Sequence, residues 1–390
     1  MKKSILCLLS LISTVSTIYC KFSWTPYYAF NFSEGVYLPS VGKWGFSTNL
    51  SSDLGVIIKP SEKHSALVFY ELNYTGPGLK RQEGEKFEQR NMSHIFMAQY
   101  SFKYSQKITF KTRINYITDW WRSGTNELWG FGVYDSLRMG ISETVNFQIK
   151  EFLFSTQIGF NQLKFPNYTD LITEYMSGTE ETVAGKQDNN LYQFNTKVNY
   201  KGHNAGLNFN YQSYPNQKIL DETGTYTDTK QTDLSLEFFY EKEVLKIIGP
   251  LWSSPYFSVK LKDSNQGYLH FKTVTSTPTF VADFYDYTKL TFSLPVNVNI
   301  TKTKYISVIP EYTITNYTRP ARNENNDFIS DKHNLYLTVL TFAYTSQPDE
   351  NRKMTLFYSY QTQTSTTKFD KYFPYNYSGH YFGIKYGYTF

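Results

Sequence analysis

The chain has only two cysteines in 390 residues, Cys7 and Cys20, both near its start. That leaves the rest without a disulfide framework, a thiolate nucleophile or a cysteine-based metal site. After the apolar stretch Ile5 to Ile12, no run approaches the roughly 18 to 20 apolar residues that a membrane helix needs. If the chain crosses a membrane, it does so with strands. Charge of one sign is also scarce. The formal net charge is +5, falling to +3 without Lys2 and Lys3, too mild to argue for a nucleic-acid partner. Signatures of catalysis are missing as well. There is no Gly-x-Ser-x-Gly elbow and no glycine-rich phosphate loop at a strand-to-helix junction. The histidines His64, His94, His203, His270, His333 and His380 are scattered without metal-ligand spacing. No cofactor and no enzymatic activity are expected.

Aromatics are what the chain has in abundance. They reach 18%, with 35 Tyr and 31 Phe, yet the mean hydropathy is -0.47. A soluble core draws more on Leu, Ile, Val and Ala. Aromatic and β-branched residues favour strands. A polar chain with an aromatic half-face throughout fits a barrel in lipid, apolar outside and wet inside. The N-terminus fits export. Lys2 and Lys3 precede the apolar run, and small residues follow, so residues 1 to 20 read as a signal peptide cleaved between 16 and 20. Cys20 suggests a lipoprotein, but Tyr19 stands where a lipidation site wants a small residue. Residues 21 to 390 read as one domain.

Period-2 alternation recurs along the chain. Ala66, Val68, Tyr70, Leu72 and Tyr74 form one such series, and Ile108, Phe110, Thr112, Ile114 and Tyr116 another. Short polar connections (YSQK near 104, KGHN near 201, TKTK near 301) alternate with long ones after Tyr74, Phe165 and Ser213. Tight turns at one end and long loops at the other are the habit of transmembrane barrels. Strand starts are expected near residues 23, 43, 64, 90, 106, 127, 151, 190, 204, 232, 255, 287, 303, 332, 352 and 379. The fold class expected is all-β: a transmembrane antiparallel up-and-down β-barrel of about 16 strands, with about 14 as the alternative. Residues 127 to 149 could hold two strands, 242 to 254 form a connection of no clear type, and 264 to 286 could carry its own hairpin. Alternation also suits a soluble sandwich, but tyrosines near strand ends, such as Tyr100, Tyr116, Tyr200, Tyr211, Tyr240, Tyr312, Tyr344, Tyr358 and Tyr360, favour a bilayer girdle.

The chain closes on YFGIKYGYTF, with Phe382, Ile384, Tyr386, Tyr388 and Phe390 at alternate positions. This ending resembles the C-terminal signal of bacterial outer-membrane β-barrel proteins, including the porins. The resemblance implies a Gram-negative-type outer membrane, contact with outer-membrane lipid, and recognition of that last strand by the barrel-assembly machinery. It implies nothing about cargo. The last strand is expected to close the barrel against residues 23 to 33.

Counting faces back from this strand places Lys111, Arg113, Arg138, Lys197, Lys260, Lys289 and Lys385 inward, with Asp53, Glu71, Asp233, Glu237 and Glu311. Such a lining must be hydrated or paired. A barrel of about 16 strands is wide enough for an aqueous channel. The function expected is passage of small hydrophilic solutes by diffusion, narrowed by the loop near 165 to 190. Lys111, Arg113 and Arg138 are expected to form a basic patch favouring anions, unless they pair with Asp119 or Asp135. Leu67, Phe69, Phe239, Leu335, Leu337, Val339 and Phe357 also fall inward. They would line a greasy path, pack against a plug, or mark a slipped register. The alternatives are a structural or adhesive barrel with a plugged lumen, a transporter of hydrophobic compounds, and a rim enzyme. A homo-oligomer is compatible with all of these.

Overall fold

A computed structural model describes residues 23–79, 86–123, 127–168, 185–273, 276–371 and 373–390. The expected cleavage region lies outside them. Ten long strands come first: β1 (Ser23–Pro39), β2 (Gly45–Lys59), β3 (His64–Thr75), β4 (Arg90–Lys103), β5 (Ile108–Arg122), β6 (Ser136–Ile149), β7 (Phe152–Lys164), β8 (Asn189–Tyr200), β9 (His203–Leu220) and β10 (Tyr226–Lys242). Shorter pieces follow: β11 (Leu245–Ile248), β12 (Leu251–Ser253), β13 (Tyr256–Ser264), β14 (Tyr268–His270), β15 (Thr279–Val281), β16 (Tyr287–Ser293) and β17 (Val296–Asn299). The last four are β18 (Lys304–Arg322), β19 (Phe328–Ser346), β20 (Arg352–Ser365) and β21 (Tyr377–Thr389).

Each long strand pairs antiparallel with the next, and β21 pairs with β1, so the sheet closes into a barrel of 16 strands. The segments β11, β12 and β17 prolong β10, β13 and β16 at the end that carries the C-terminus. Proline explains two of the breaks. Pro255 separates β12 from β13, and Pro295 separates β16 from β17; a prolyl nitrogen cannot donate to a ladder. The untyped connection at 242 to 254 is therefore the β11–β12 hairpin, turning at Gly249 and Pro250. The hairpin expected within 264 to 286 is present as β14 and β15.

Three sequence expectations change. The last strand closes on Ala29–Pro39, several residues further along than 23 to 33. Residues 127 to 149 hold one strand, starting at Ser136 rather than near 127. Asp135 holds residues 132 to 135 in a turn, its carboxylate accepting from the Trp121 amide (2.7 Å) and the Gly132 amide (3.0 Å). The segment after Ser213, read as a long loop, is instead a continuation of β9 and β10 that turns over only at residues 221 to 225. Its threonines suit a strand. Asp221 fixes the tip by accepting from Thr223 and Thr225 amides, both at 2.9 Å.

Cross-strand partners share a face, so the register sorts the wall into two surfaces. Starting from the Phe382–Phe390 series, the outer face carries Phe32, Leu50, Tyr70, Phe96, Tyr116 and Ile141. Ile158, Phe194, Phe209 and Phe238 continue it. Many are solvent-accessible on this surface, Val68 at 57% and Ile158 at 59%. A continuous apolar exterior of this kind is untenable in water and natural in lipid. All nine tyrosines named above stand on this face. Glu34 and Glu143 interrupt it. Glu143 accepts from the Thr112 hydroxyl at 2.5 Å, which offsets part of the cost of a carboxylate there.

Candidate functional site

The twelve charged residues expected to face inward all lie on the inner face by register. Polar side chains fill most positions between them. Asp233 is enclosed by Lys262 (3.1 Å), Ser264 (2.6 Å) and the Tyr214 hydroxyl (3.2 Å). An amide ladder runs across the neighbouring strands β7 to β10, from Asn161 to Gln193 (2.9 Å), Gln193 to Asn210 (3.1 Å) and Asn210 to Ser235 (3.3 Å).

The basic residues divide into a pair and an outlier. Lys111 and Arg113 are neighbours on the inner face of β5, and Arg113 donates to the Gln99 side chain at 2.9 Å. Arg138 stands on β6 opposite Ile117, four positions along from Arg113, or about 13 Å of strand. Among the described residues none of the three is in an ion pair. Asp119 accepts from Ser93 and Ser136, and Asp135 is taken by the two amides described above. The terminal series Phe382, Ile384, Tyr386, Tyr388 and Phe390 lies on the outer face of β21. The Phe390 amide donates to the Tyr28 carbonyl at 2.8 Å, stitching the final residue into the seam.

The inward apolar residues have specific tasks. Phe69 stands across from Gly55, Phe239 from Gly206 and Phe357 from Gly383. Each ring covers its glycine, because a Cβ would lie 3.2, 2.5 and 2.6 Å from the respective ring. A phenylalanine laid over a cross-strand glycine restores packing that the glycine lacks. Leu335 is buried with Tyr317 and Tyr375. These rings are wall packing, and the register is not slipped.

The described start of the loop after β3 folds into the barrel. Gly76 donates to the Thr48 carbonyl (2.8 Å), and the chain then crosses β2 and β1 to the inner side of β20 and β21. There the Leu79 carbonyl accepts from Gln361 (3.2 Å) and the Tyr377 hydroxyl (3.4 Å). Leu79 and Phe87 are buried against Tyr37 and Tyr377. Sequence reading marks this connection as long but not as inward-folding, although Leu79 and Phe87 are isolated apolar residues in a polar, glycine-rich stretch. Such residues need a surface to bury against. The loop expected to constrict the lumen, near 165 to 190, falls largely on residues 169 to 184, outside the described ones. Its ends lean on neighbours: Asn167 donates to the Gly130 carbonyl (3.0 Å), and Asp188 accepts from the Phe165 amide (2.7 Å).

Below the β3–β4 loop lies a cavity of about 1020 Å³, reaching the turn end at Asn351 and Thr389. Its lining is mainly amide and hydroxyl, including Asn31, Asn49, Asn73, Asn91, Ser307 and Thr341. A second cavity of about 360 Å³ lies against Gly76 to Leu79 and shares Asn49, Thr75, Ile309, Thr341, Phe357 and Lys385 with the first. The two cavities therefore adjoin, one reaching the turn end and the other the loop. Lys111, Arg113 and Arg138 line neither.

A closed barrel of 16 strands, apolar outside and polar within, defines a porin-like outer-membrane β-barrel. No protein-family model and no curated protein sequence matches the chain. Solved structures of similar shape include OmpF of Salmonella typhi in complex with daunomycin (TM-score 0.49, 9% identity, 93% of this chain and 97% of that one). A loop L8 deletion mutant of OmpT, an outer membrane protein of Vibrio cholerae, gives TM-score 0.47 at 10% identity, covering 94% and 99%. OccK2 of Pseudomonas aeruginosa in complex with glucuronate gives 0.46 at 10%, covering 93% and 98%.

Proposed function

We propose that the barrel passes small hydrophilic solutes by diffusion through its lumen. The observation that carries this reading is the cavity of about 1020 Å³, lined mainly by amides and hydroxyls with Glu350, Arg352, Lys353 and Lys385 among them, and adjoining the space under the β3–β4 loop. Amides and hydroxyls exchange hydrogen bonds with water and with hydroxylated solutes at little cost, because each offers both donor and acceptor. A wall that is mainly uncharged and polar passes solutes by size and hydrophilicity, not by a built binding site. The Lys111–Arg113 pair, with Arg138 further along, adds a weak preference for anions through its field.

Liposomes carrying the protein and suspended in iso-osmotic sugars test this. Small sugars should cause swelling at rates that fall with solute size; no swelling with any solute would overturn the reading. The crossing of the β3–β4 loop onto β20 and β21 supports one second reading, a plugged barrel with a structural role, and absence of swelling would favour it. For the charge effect, the variant Lys111→Gln/Arg113→Gln/Arg138→Gln should lower anion preference, measured as the reversal potential across a salt gradient. Unchanged selectivity would remove the basic residues from the account.

A further inference from the structure

At the loop end of the barrel, away from the two cavities described above, is a cavity of about 460 Å³. Ligand pockets span about 300 to 1,000 Å³. It forms where the outer ends of β18 and β19 meet the β13–β16 loop and the β20–β21 loop. Two kinds of group dominate it. Rings line it, among them Phe328, Phe369, Phe373 and Tyr375, and two guanidinium groups reach it, Arg319 and Arg322. Arg319 is layered between rings, 4.0 Å from the Tyr317 centroid and 4.6 Å from that of Phe284. Arg322 lies over Phe369 at 5.1 Å and donates to the Asn326 side chain at 2.9 Å.

His333 supplies the decisive feature. Its ring lines the same cavity and is 2% exposed. Arg319 Nε donates to His333 Nδ1 at 3.2 Å. A guanidinium has no acceptor, so Nδ1 must be the unprotonated nitrogen and the ring proton sits on Nε2. His333 Nε2 is buried and has no hydrogen-bond partner among the described residues. A buried N–H donor without an acceptor is costly. The site therefore offers a guanidinium fork, an unsatisfied N–H and flat apolar walls. Nearby carboxylates are already engaged: Asp327 with Lys272 at 2.5 Å, and Asp370 with the Tyr375 amide at 2.8 Å.

We propose that this cavity binds a flat aromatic carboxylate, its ring stacked on the aromatic walls and its carboxylate accepting from His333 Nε2 and the arginines. Aromatic faces prefer offset or edge contacts with another ring, and a guanidinium matches a carboxylate in two-point geometry. A carboxylate supplies both the negative charge that Arg319 and Arg322 face and an acceptor for the His333 donor. The inference is independent of whether the lumen conducts.

The test is calorimetric titration of benzoate into the full chain folded in detergent micelles. One saturable site is expected. Benzamide, which keeps the ring and loses the charge, and acetate, which keeps the charge and loses the ring, should each bind about tenfold more weakly or less. Arg322→Gln should weaken benzoate about tenfold, and Arg322→Lys should fall between, since it keeps charge without the fork. Benzamide or acetate binding as well as benzoate would overturn the proposal, as would the absence of saturable binding to the unaltered protein. If Arg322→Gln does not fold, the series on the unaltered chain decides alone. Because the titration needs no conduction, a silent channel that binds benzoate would sink only the channel reading, and a conducting barrel that does not bind it would sink only this site.

Discussion

The seam that closes the barrel should tolerate no side chain at Gly383. A Cβ there would lie 2.6 Å from Phe357 Cζ and 2.7 Å from the Glu34 carbonyl oxygen. Carbon contacts are comfortable at about 3.5 to 4.0 Å, so roughly 1 Å must open on each side. The Phe357 ring is held, since it packs edge-on against Tyr381 at 5.0 Å. The carbonyl belongs to β1, directly across the seam, and cannot retreat without loosening the pairing from Ala29 to Pro39. Overpacking of this kind costs about 1–3 kcal/mol. Relief of glycine's conformational entropy returns about 0.5–1 kcal/mol. Gly383→Ala should therefore lose about 1 kcal/mol, and up to about 2.5 kcal/mol, because the Glu34 carbonyl is backbone and cannot turn aside. Gly159 is the internal control. The atoms nearest its Cβ position are at 3.4 Å and 3.7 Å, so Gly159→Ala should gain about 0.5–1 kcal/mol. Guanidinium unfolding in micelles, followed by tryptophan fluorescence with the slope unchanged, measures both. A Gly383→Ala barrel as stable as the parent, or equal losses at both sites, would refute the steric account of the seam.

Three further outcomes are expected. Asp286, in the loop before β16, has its carboxyl pushed up from 3.8 to about 6, by burial first and then by Asp263 and Asp283, against the pull of the Ser264 amide. Between about pH 4 and pH 6 the folded loop holds a proton that the unfolded chain has released, so stability falls as pH rises through that window; a carbon NMR titration of Asp286 with a midpoint near the ordinary 3.8 would contradict this. Leu79→Ala removes the apolar anchor of the β3–β4 loop, a truncation worth about 2–5 kcal/mol locally, and should raise single-channel conductance; unchanged conductance would mean the loop does not narrow the path. Deleting Phe390 removes the amide bonded to Tyr28 and the outermost residue of the assembly series, and should lower the yield of inserted barrel in cells; normal insertion would set aside recognition of that residue.

Much of the wall was legible because strand alternation is local. Parity within each strand, carried from strand to strand back from Phe390, assigns a residue's face, and Lys111, Glu237 and Lys385 fall inward by that rule. The nine girdle tyrosines fall outward by the same rule. Parity cannot say why an apolar residue points inward. Phe357 needed its cross-strand glycine to explain it, and that pairing joins positions 26 residues apart. Loop boundaries failed where polar strands imitate loops: the Thr-rich extension of β9 and β10 has no apolar face to mark it. The mouth was invisible for a different reason. Arg319, His333 and the pair Phe369 and Tyr375 come from β18, β19 and the β20–β21 loop with no shared spacing, and only the closed fold brings them to one cavity. The isolated apolar residues Leu79 and Phe87 were the readable clue to the inward loop.

The central claim is an aqueous path through the barrel, and single-channel recording in a planar bilayer tests it most directly. Purified protein should insert in discrete steps of uniform size, with conductance rising in proportion to salt concentration, as expected for ions moving in water rather than between binding sites. Folded barrels that insert and give no steps would contradict it.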